Sequence, residues 1–501
     1  MRKRSAEQLE LRPRLPVVVG NAEYRQNEAR LVRIDELLRQ SGLEEAYVEK
    51  AVEQWLQRGR EAARQAGKDF REPSAKATAR YVRMCRQALR CNVARQLTEK
   101  EYRPFSLRLA EGALLQWFCG VDRLEQIRVP TKSTLERYDK LLPESQMRAL
   151  VDRLNFEAVE GAERLELDRA LKMDVYLSDT TCVKANIHFP TDWVLLRDAV
   201  RTLMKAVKVI RKHGLKHRMP EPDQFLKDVN RLSMEMSQSR RRPDSVKRRK
   251  TVLRRMKRLT NIVKEHAQRY SRRLQADWRQ ETDLHEGEMR RIVARIDGVV
   301  EQLPTAIRQA HERIIGGRKV ENRDKILSLY DPDLHVIVRN KADAEVEFGN
   351  TLLLAEQTDG LIVDWKLHKE ISPGDIALMR SSLARIQTVF GHYPTSVGAD
   401  RGFASRASRH WLEQEGMVDA VCPRDPRELA ERMKDRKFRS IQKRRAQTEG
   451  RIGILKNDFL GRPLRSKGFE HRELAVAWAV LAHNLWLIAG LPQKAALEEA
   501  A

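Results

Sequence analysis

The feature that most constrains this chain is a strand cut off from its partners. Leu171, Met173, Val175 and Leu177 alternate with Lys172, Asp174, Tyr176 and Ser178, the period of two that belongs to a β-strand ending at Asp179. A strand must pair its backbone donors and acceptors with other strands. Yet residues 192–315 read as helix, with Val252, Met256, Leu259 and Val263 at helical spacing. Strand patterns return only after Gly316-Gly317. They are His335–Val338, then Thr351–Ala355 and Leu361–Trp365 around the turn dipeptide Asp359-Gly360, then Ser396–Ala399 and Val418–Val421. Helical patterns follow Pro373-Gly374-Asp375 through Phe390, over Ser405–Glu415, and near 439–458 and 470–489. This order predicts an α/β domain around a mixed sheet, its first strand separated from the rest by a helical insertion.

Five segments follow. Residues 1–104 read as polar helices, with Leu31, Ile34, Leu37 and Leu38 forming one apolar stripe, and are a candidate for DNA binding. Residues 105–168 are more apolar: Leu107 through Phe118 reads as a buried helix ended by Gly120. Val129-Pro130-Thr131 then opens a helix in an arrangement compatible with a helix-turn-helix. Residues 169–190 and 331–490 make the α/β domain, 191–330 the insertion, and 491–501 a tail. The insertion suggests a helical hairpin or a coiled-coil-like element. Its basic run, Arg240, Arg241 and Arg242 followed by Lys247, Arg248, Arg249 and Lys250, is a candidate DNA-backbone contact.

Charge narrows the class. Lys and Arg number 96 against 71 Asp and Glu, a net charge of +25, which favours a polyanionic partner over a membrane surface. The cysteines Cys85, Cys91, Cys119, Cys182 and Cys422 are scattered and form no C-x-x-C pair, so neither a disulfide framework nor a zinc site is expected. A reducing cytoplasm fits this pattern. The most apolar stretch, Leu474 to Leu491, carries His483 and Asn484, which suits a buried helix better than a membrane span.

Three acids stand out for phosphodiester chemistry, in which two hard cations such as Mg²⁺ or Mn²⁺ need oxygen ligands from separate elements. Asp179 closes the first strand in its apolar register, before Thr180-Thr181. Asp400 ends another strand, followed by Arg401 and by Gly402, which permits a sharp exit. Glu449 lies on a helix, and at 100° per residue Arg445, Glu449, Ile452 and Lys456 share about 40° of arc. That stripe can turn a carboxylate to metal and cations to phosphate. Asp174 is the near rival of Asp179, on the strand's polar face.

Arg445, Glu449 and Lys456, spaced R-x₃-E-x₆-K, resemble the third-carboxylate signature of DDE insertion-sequence transposases. Gln442 stands where those families often carry Tyr. Ala399-Asp400-Arg401-Gly402-Phe403 resembles their second-Asp motif. Asp179-Thr180-Thr181 with Asn186 to Asp192, Val346-Glu347-Phe348-Gly349, and Leu481 to Leu485 resemble segments of the ISNCY-type group. The likeness spans roughly 105–490. It implies an RNase H-like fold and two Mg²⁺ or Mn²⁺ ions on Asp179, Asp400 and Glu449. It also implies cleavage at terminal inverted repeats, 3′-hydroxyl transfer into target DNA, and DNA contacts from Arg445, Lys456 and Arg401. Joining two ends calls for a homodimer or higher assembly on DNA. No membrane and no small-molecule substrate is expected.

Plainer readings compete. The three acids could be a turn cap, a turn aspartate beside Arg401, and an exposed partner of Arg445. His188 and His483 read as capping or buried histidines, Asp192 as a helix cap, Trp478 and Trp486 as core, and Glu356 and Asp364 as surface positions. The rival functions are a purely hydrolytic nuclease of the same fold, an inactive transposase-derived DNA-binding protein, and a basic RNA scaffold.

Overall fold

The computed structural model describes Leu15 and residues 17–98, 101–121, 127–239, 244–341, 344–461 and 463–493. Arg240, Arg241, Arg242 and the tail beyond 493 lie outside the described residues.

The N-terminal half of the core is helical. Helices α1 (Ala22–Gln40), α2 (Leu43–Gln65) and α3 (Ala75–Thr98) precede α4 (Tyr102–Glu111), α5 (Ala113–Cys119), α6 (Lys132–Asp139) and α7 (Glu144–Glu160). The stripe Leu31, Ile34, Leu37 and Leu38 is buried, and Asn21 caps α1 by accepting the Tyr24 N–H at 2.8 Å. The expected single helix over 107–118 is two, because Gly112 takes an extended conformation between them and leaves Leu107 exposed. Gly120, at φ 63°, does close α5. Helix α6 packs on α3 and α4. Arg90 is buried and forms ion pairs with Asp35 and Glu44, so this helical layer carries charge in its interior only where it is neutralised.

The first strand, β1, runs Val175–Lys184, later than its sequence pattern suggests, and Asp179 lies within it rather than at its end. Thr180, Thr181, Cys182 and Val183 prolong the strand because they pair antiparallel with later residues up to Lys184. Leu171 and Met173 are buried but precede the ladder.

The insertion is more than a hairpin. Four helices, α8 (Asp192–Lys212), α9 (Pro222–Ser239), α10 (Ser245–Glu281) and α11 (Glu286–Ala310), pack on one another around their own core of Leu203, Val207, Met256, Val263 and Leu303, among others. The apolar positions recur at helical spacing on all four, so a two-helix arrangement would leave faces bare. Thr191 occupies the α8 N-cap position. Asp192 is its first residue and holds Gln309 and Arg313, both at 2.9 Å.

The remaining strands are β2 (His335–Lys341), β3 (Ala344–Glu356) and β4 (Ile362–Leu367), then helix α12 (Asp375–Phe390) and β5 (Ser396–Ala399). Helix α13 (Arg406–Gln414), β6 (Val418–Asp419), α14 (Pro426–Arg432), α15 (Arg436–Ile454) and α16 (Phe469–Ile488) complete the chain. The sheet has six strands in the order β2-β3-β1-β5-β6, with β4 also on β3. β1 is antiparallel to β3 and parallel to β5. Both sheet faces are covered: Tyr176 and Ser178 are as fully buried as Leu177. Gly349 is required where β3 crosses β1, because a Cβ there would meet the Val183 carbonyl oxygen at 2.0 Å.

Candidate active site

Register brings two of the three acids together. In the parallel β1–β5 pair, Ser178 lies opposite Ala399, so the next residues, Asp179 and Asp400, occupy neighbouring positions. Strands sit about 4.8 Å apart, within reach of a shared ion. Both aspartates use one device: Oδ1 accepts the N–H of the following residue at 2.7 Å, from Thr180 and from Arg401. The Asp400 contact caps a short 3₁₀ turn, Arg401–Phe403. The Asp174 side chain is exposed.

Sequence reading missed a further acid here. Asp375, the first residue of α12, touches the Gly402 backbone so closely that a Cβ at 402 would lie 2.4 Å from its Oδ2. Burial first, and the Asp400 charge second, push its carboxyl above the usual range, against the pull of Arg424.

Glu449 is placed differently. Its helix, α15, packs on β1 and β5 through Phe438 and Ile441, which meet Leu177 and Ala420. Gly398 allows this approach: a Cβ there would come within 2.7 Å of Ile441 and 2.8 Å of Leu177. Thr448 and Ile452 face inward, while the Glu449 side chain is 62% exposed and lies 3.5 Å from Arg445. Among the described residues, no three His, Cys, Asp or Glu side chains gather in a metal-holding group, so Glu449 is not gathered with the two aspartates.

Lys456 does not point outward. It is buried, and its Nζ donates to Thr181 Oγ1 at 3.0 Å and to the Cys182 carbonyl at 2.6 Å. The stripe from Arg445 to Lys456 therefore starts in solvent and ends inside. It ends there because at 100° per residue Lys456 lies near the buried Ile452, at the start of a π-helical turn, Leu455–Leu460. Gln442 donates to the Ala420 carbonyl, tying α15 to the segment after β6. Arg401 and Lys247 are exposed, and Arg248, Arg249 and Lys250 are partly so; Arg248 lies 3.7 Å from Glu235.

A buried polar chain holds α15 from its other flank. Glu356, at the end of β3, is fully buried and accepts Arg451 Nε at 2.9 Å. Arg451 Nη1 lies 3.2 Å from His483 Nε2, and His483 Nδ1 lies 2.9 Å from Asn484 Oδ1. Asn484 brackets Ile362 of β4, accepting its N–H at 3.1 Å and donating to its carbonyl at 2.8 Å. Burial pulls the His483 imidazole down to about 4, so it stays neutral and accepts from Arg451. Glu356 and Asp364 are thus not surface residues. Asp364 is buried beneath Arg385, Arg148 and Ser382. The signal for Glu356 was present in the strand pattern, because it continues the alternation Leu352, Leu354. Nothing local marks its partner Arg451. His188 lies 3.4 Å from Asp198 at an exposed position. Trp478 is core, whereas Trp486 is partly exposed beneath the Arg30 guanidinium, 4.7 Å from its centroid.

A mixed sheet with carboxylates on adjacent parallel strands, flanked by helices, fits an RNase H-like nucleic-acid enzyme. Residues 350–485 match the family model described as the transposase DDE domain, a span that includes Asp400 and Glu449 and begins after Asp179. The chain carries a DDE-type transposase domain; the match does not reach the ISNCY-type subgroup. No curated protein and no solved structure matches the chain significantly. Among the described residues, no helix is long and apolar enough to cross a membrane.

Proposed function

We propose that the chain cleaves DNA at the ends of an insertion sequence and joins the freed ends to target DNA, with Asp179, Asp400 and Glu449 as its catalytic acids. The parallel register that sets Asp179 beside Asp400 carries this reading. Their oxygen donors fit Mg²⁺ or Mn²⁺, and Asp375, its carboxyl pushed up by burial and then by the Asp400 charge, is a further acid beside Asp400. Divalent ions, when bound, would activate the attacking oxygen and stabilise the leaving one.

The rest belongs to the chain. Two residues apart on a helix, Arg451 and Glu449 point to opposite flanks. Arg451 is anchored on β3, so Glu449 lies on the flank toward β5 and Asp400. Released from Arg445, it completes the acidic set as DNA enters. Water attacks phosphorus, the P–O3′ bond breaks, and the 3′ oxygen leaves as a hydroxyl. That hydroxyl then attacks a target phosphorus, and the target's own P–O3′ bond breaks. Lys456 holds β1 in place beside the reacting centre, and Arg445 and Arg401 meet phosphate. Helix α10, with thirteen Lys and Arg against three Asp and Glu along its length, holds flanking DNA. Two ends demand at least two subunits.

The ungathered Glu449 favours one second reading, a DNA-binding protein that does not cut. A Mg²⁺-dependent cleavage and joining assay on DNA from either side of the coding sequence decides between them. Wild-type protein should nick and join, and Asp400→Asn should do neither. Wild-type rates from Asp400→Asn would end the catalytic reading.

A further inference from the structure

Past the end of β1 lies a cleft of about 830 Å³ that no step above uses. One wall is the α3–α4–α6 layer, and the other is Phe459–Gly461 with Pro463–Lys467, before α16. Cations dominate both walls. Lys132 is matched by Glu136 at 2.8 Å, and Arg465 by Glu101. Arg103, Lys140 and Lys467 are exposed and are held by no carboxylate of another described residue. A concave surface lined by one sign of charge focuses field and concentrates counter-ions.

The first wall is stiff. Asp139 accepts from Arg95 at 2.9 Å and from the Tyr102 hydroxyl at 2.8 Å, so the one deep acid is spent inside the wall. Trp478 Nε1 donates to the Asp139 carbonyl at 3.2 Å and pins the end of α6. Leu135 and Tyr138 face the core, which turns Lys132, Glu136 and Lys140 to the cleft. The second wall is fastened to the catalytic sheet, where Leu464 N–H donates to the Lys184 carbonyl at 3.0 Å. Lys184 is five residues beyond Asp179 on β1. At about 3.3 Å per residue that is roughly 17 Å.

We propose that this cleft binds a single DNA strand through its phosphates, a few nucleotides from the reacting bond, with Arg103, Lys140 and Lys467 as the contacts. The inference rests on the DNA reading above and deepens it. The cations are spread along two walls instead of converging on one point, which suits a polyanion and not a lone phosphate. A cavity of roughly this size takes a drug-sized molecule, so it admits a few nucleotides of one strand and no duplex. Helix α6 then grips backbone and does not read bases.

The test is fluorescence anisotropy with the full chain in EDTA, using a labelled 30-nucleotide single strand and the matching duplex across a salt series. The variant is Arg103→Gln/Lys140→Gln/Lys467→Gln. Losing three single-strand phosphate contacts should lower the slope of log affinity against log salt by about 2.1, with roughly tenfold or greater weakening at low salt. The control Arg290→Gln/Arg291→Gln/Arg295→Gln removes equal charge near the start of α11, from exposed positions, and should leave the slope unchanged. Should circular dichroism show the triple variant unfolded, Lys467→Gln alone should lower the slope by about 0.7. An unchanged slope, an equal loss in the control, or a loss confined to duplex overturns the proposal while the enzyme reading stands. Wild-type protein that binds neither DNA overturns both.

Discussion

Asp179 stands on a strand and Asp400 directly after one, whereas Glu449 stands on a helix. The strand pair is placed by backbone register, and each carboxylate is fixed by its neighbour's N–H at 2.7 Å. The helical acid has no such placement: its position depends on how α15 seats on the sheet, and its side chain is 62% exposed. Strands thus supply a preformed half-site, and a helix supplies the part that must be held or moved. The forces that seat α15 act far along the chain, through Glu356, Gly398 and Lys456.

If this division is right, the largest effects fall on chemistry without touching stability. Asp179→Asn and Glu449→Gln should each cut DNA cleavage by roughly 10³-fold or more. Glu449→Gln should shift unfolding by no more than about 0.5 kcal/mol, because the side chain is at the surface. Single-turnover nicking and urea melts on the same preparations check both statements. A Glu449→Gln enzyme that cuts normally would separate the helix from the site.

The next effect is on the seat of the helix. Glu356→Leu leaves the Arg451 guanidinium, 14% exposed, without its counter-ion. Breaking a buried pair from one side costs about 3–5 kcal/mol. Glu356→Leu/Arg451→Met should recover much of that loss, since no charge is then stranded. Smaller again is Gly398→Ala. Its methyl would press on Ile441 and Leu177, and overpacking of this kind costs about 1–3 kcal/mol. Because it lifts α15, cleavage should fall more than stability does. Equal losses would mean that the seat does not control the site.

The strands and their order were legible because alternation and turn dipeptides are local: the Asp359-Gly360 hairpin and the Ser396–Ala399 strand lie where the pattern puts them. The extent of β1 was not, because Thr180 to Lys184 are strand only through pairing with β3. Asp364 illustrates the same limit. It read as a surface position beside the hairpin, yet α7 and α12 cover it with Arg148, Ser382 and Arg385. Lys456 shares a helical face with the buried Ile452, but no local pattern shows that its amine is spent on Thr181 and Cys182. The acids could be picked from the sequence. Whether Glu449 joins the other two depends on packing that no spacing encodes.

The smallest effect concerns the sheet face opposite α15, where α7 packs. Asp152 on α7 sits half-buried near Asp364 and Glu144, and burial raises its carboxyl from 3.8 to about 7, against the pull of Arg148. A carboxyl raised on folding stabilises the fold fully below about 3.8, and that contribution is lost as pH rises through about 7. His483, lowered from 6.5 to about 4 by burial, runs the other way. Its contribution is present above about 6.5 and is lost as pH falls through about 4. The two faces therefore titrate in opposition, one favouring acid and the other neutrality. Asp152→Asn removes the first alone. Its urea midpoint should exceed that of the wild type at pH 8 and draw level or fall below it at pH 5. A difference that does not change between those pH values would show that Asp152 ionises as freely in the fold as in the open chain.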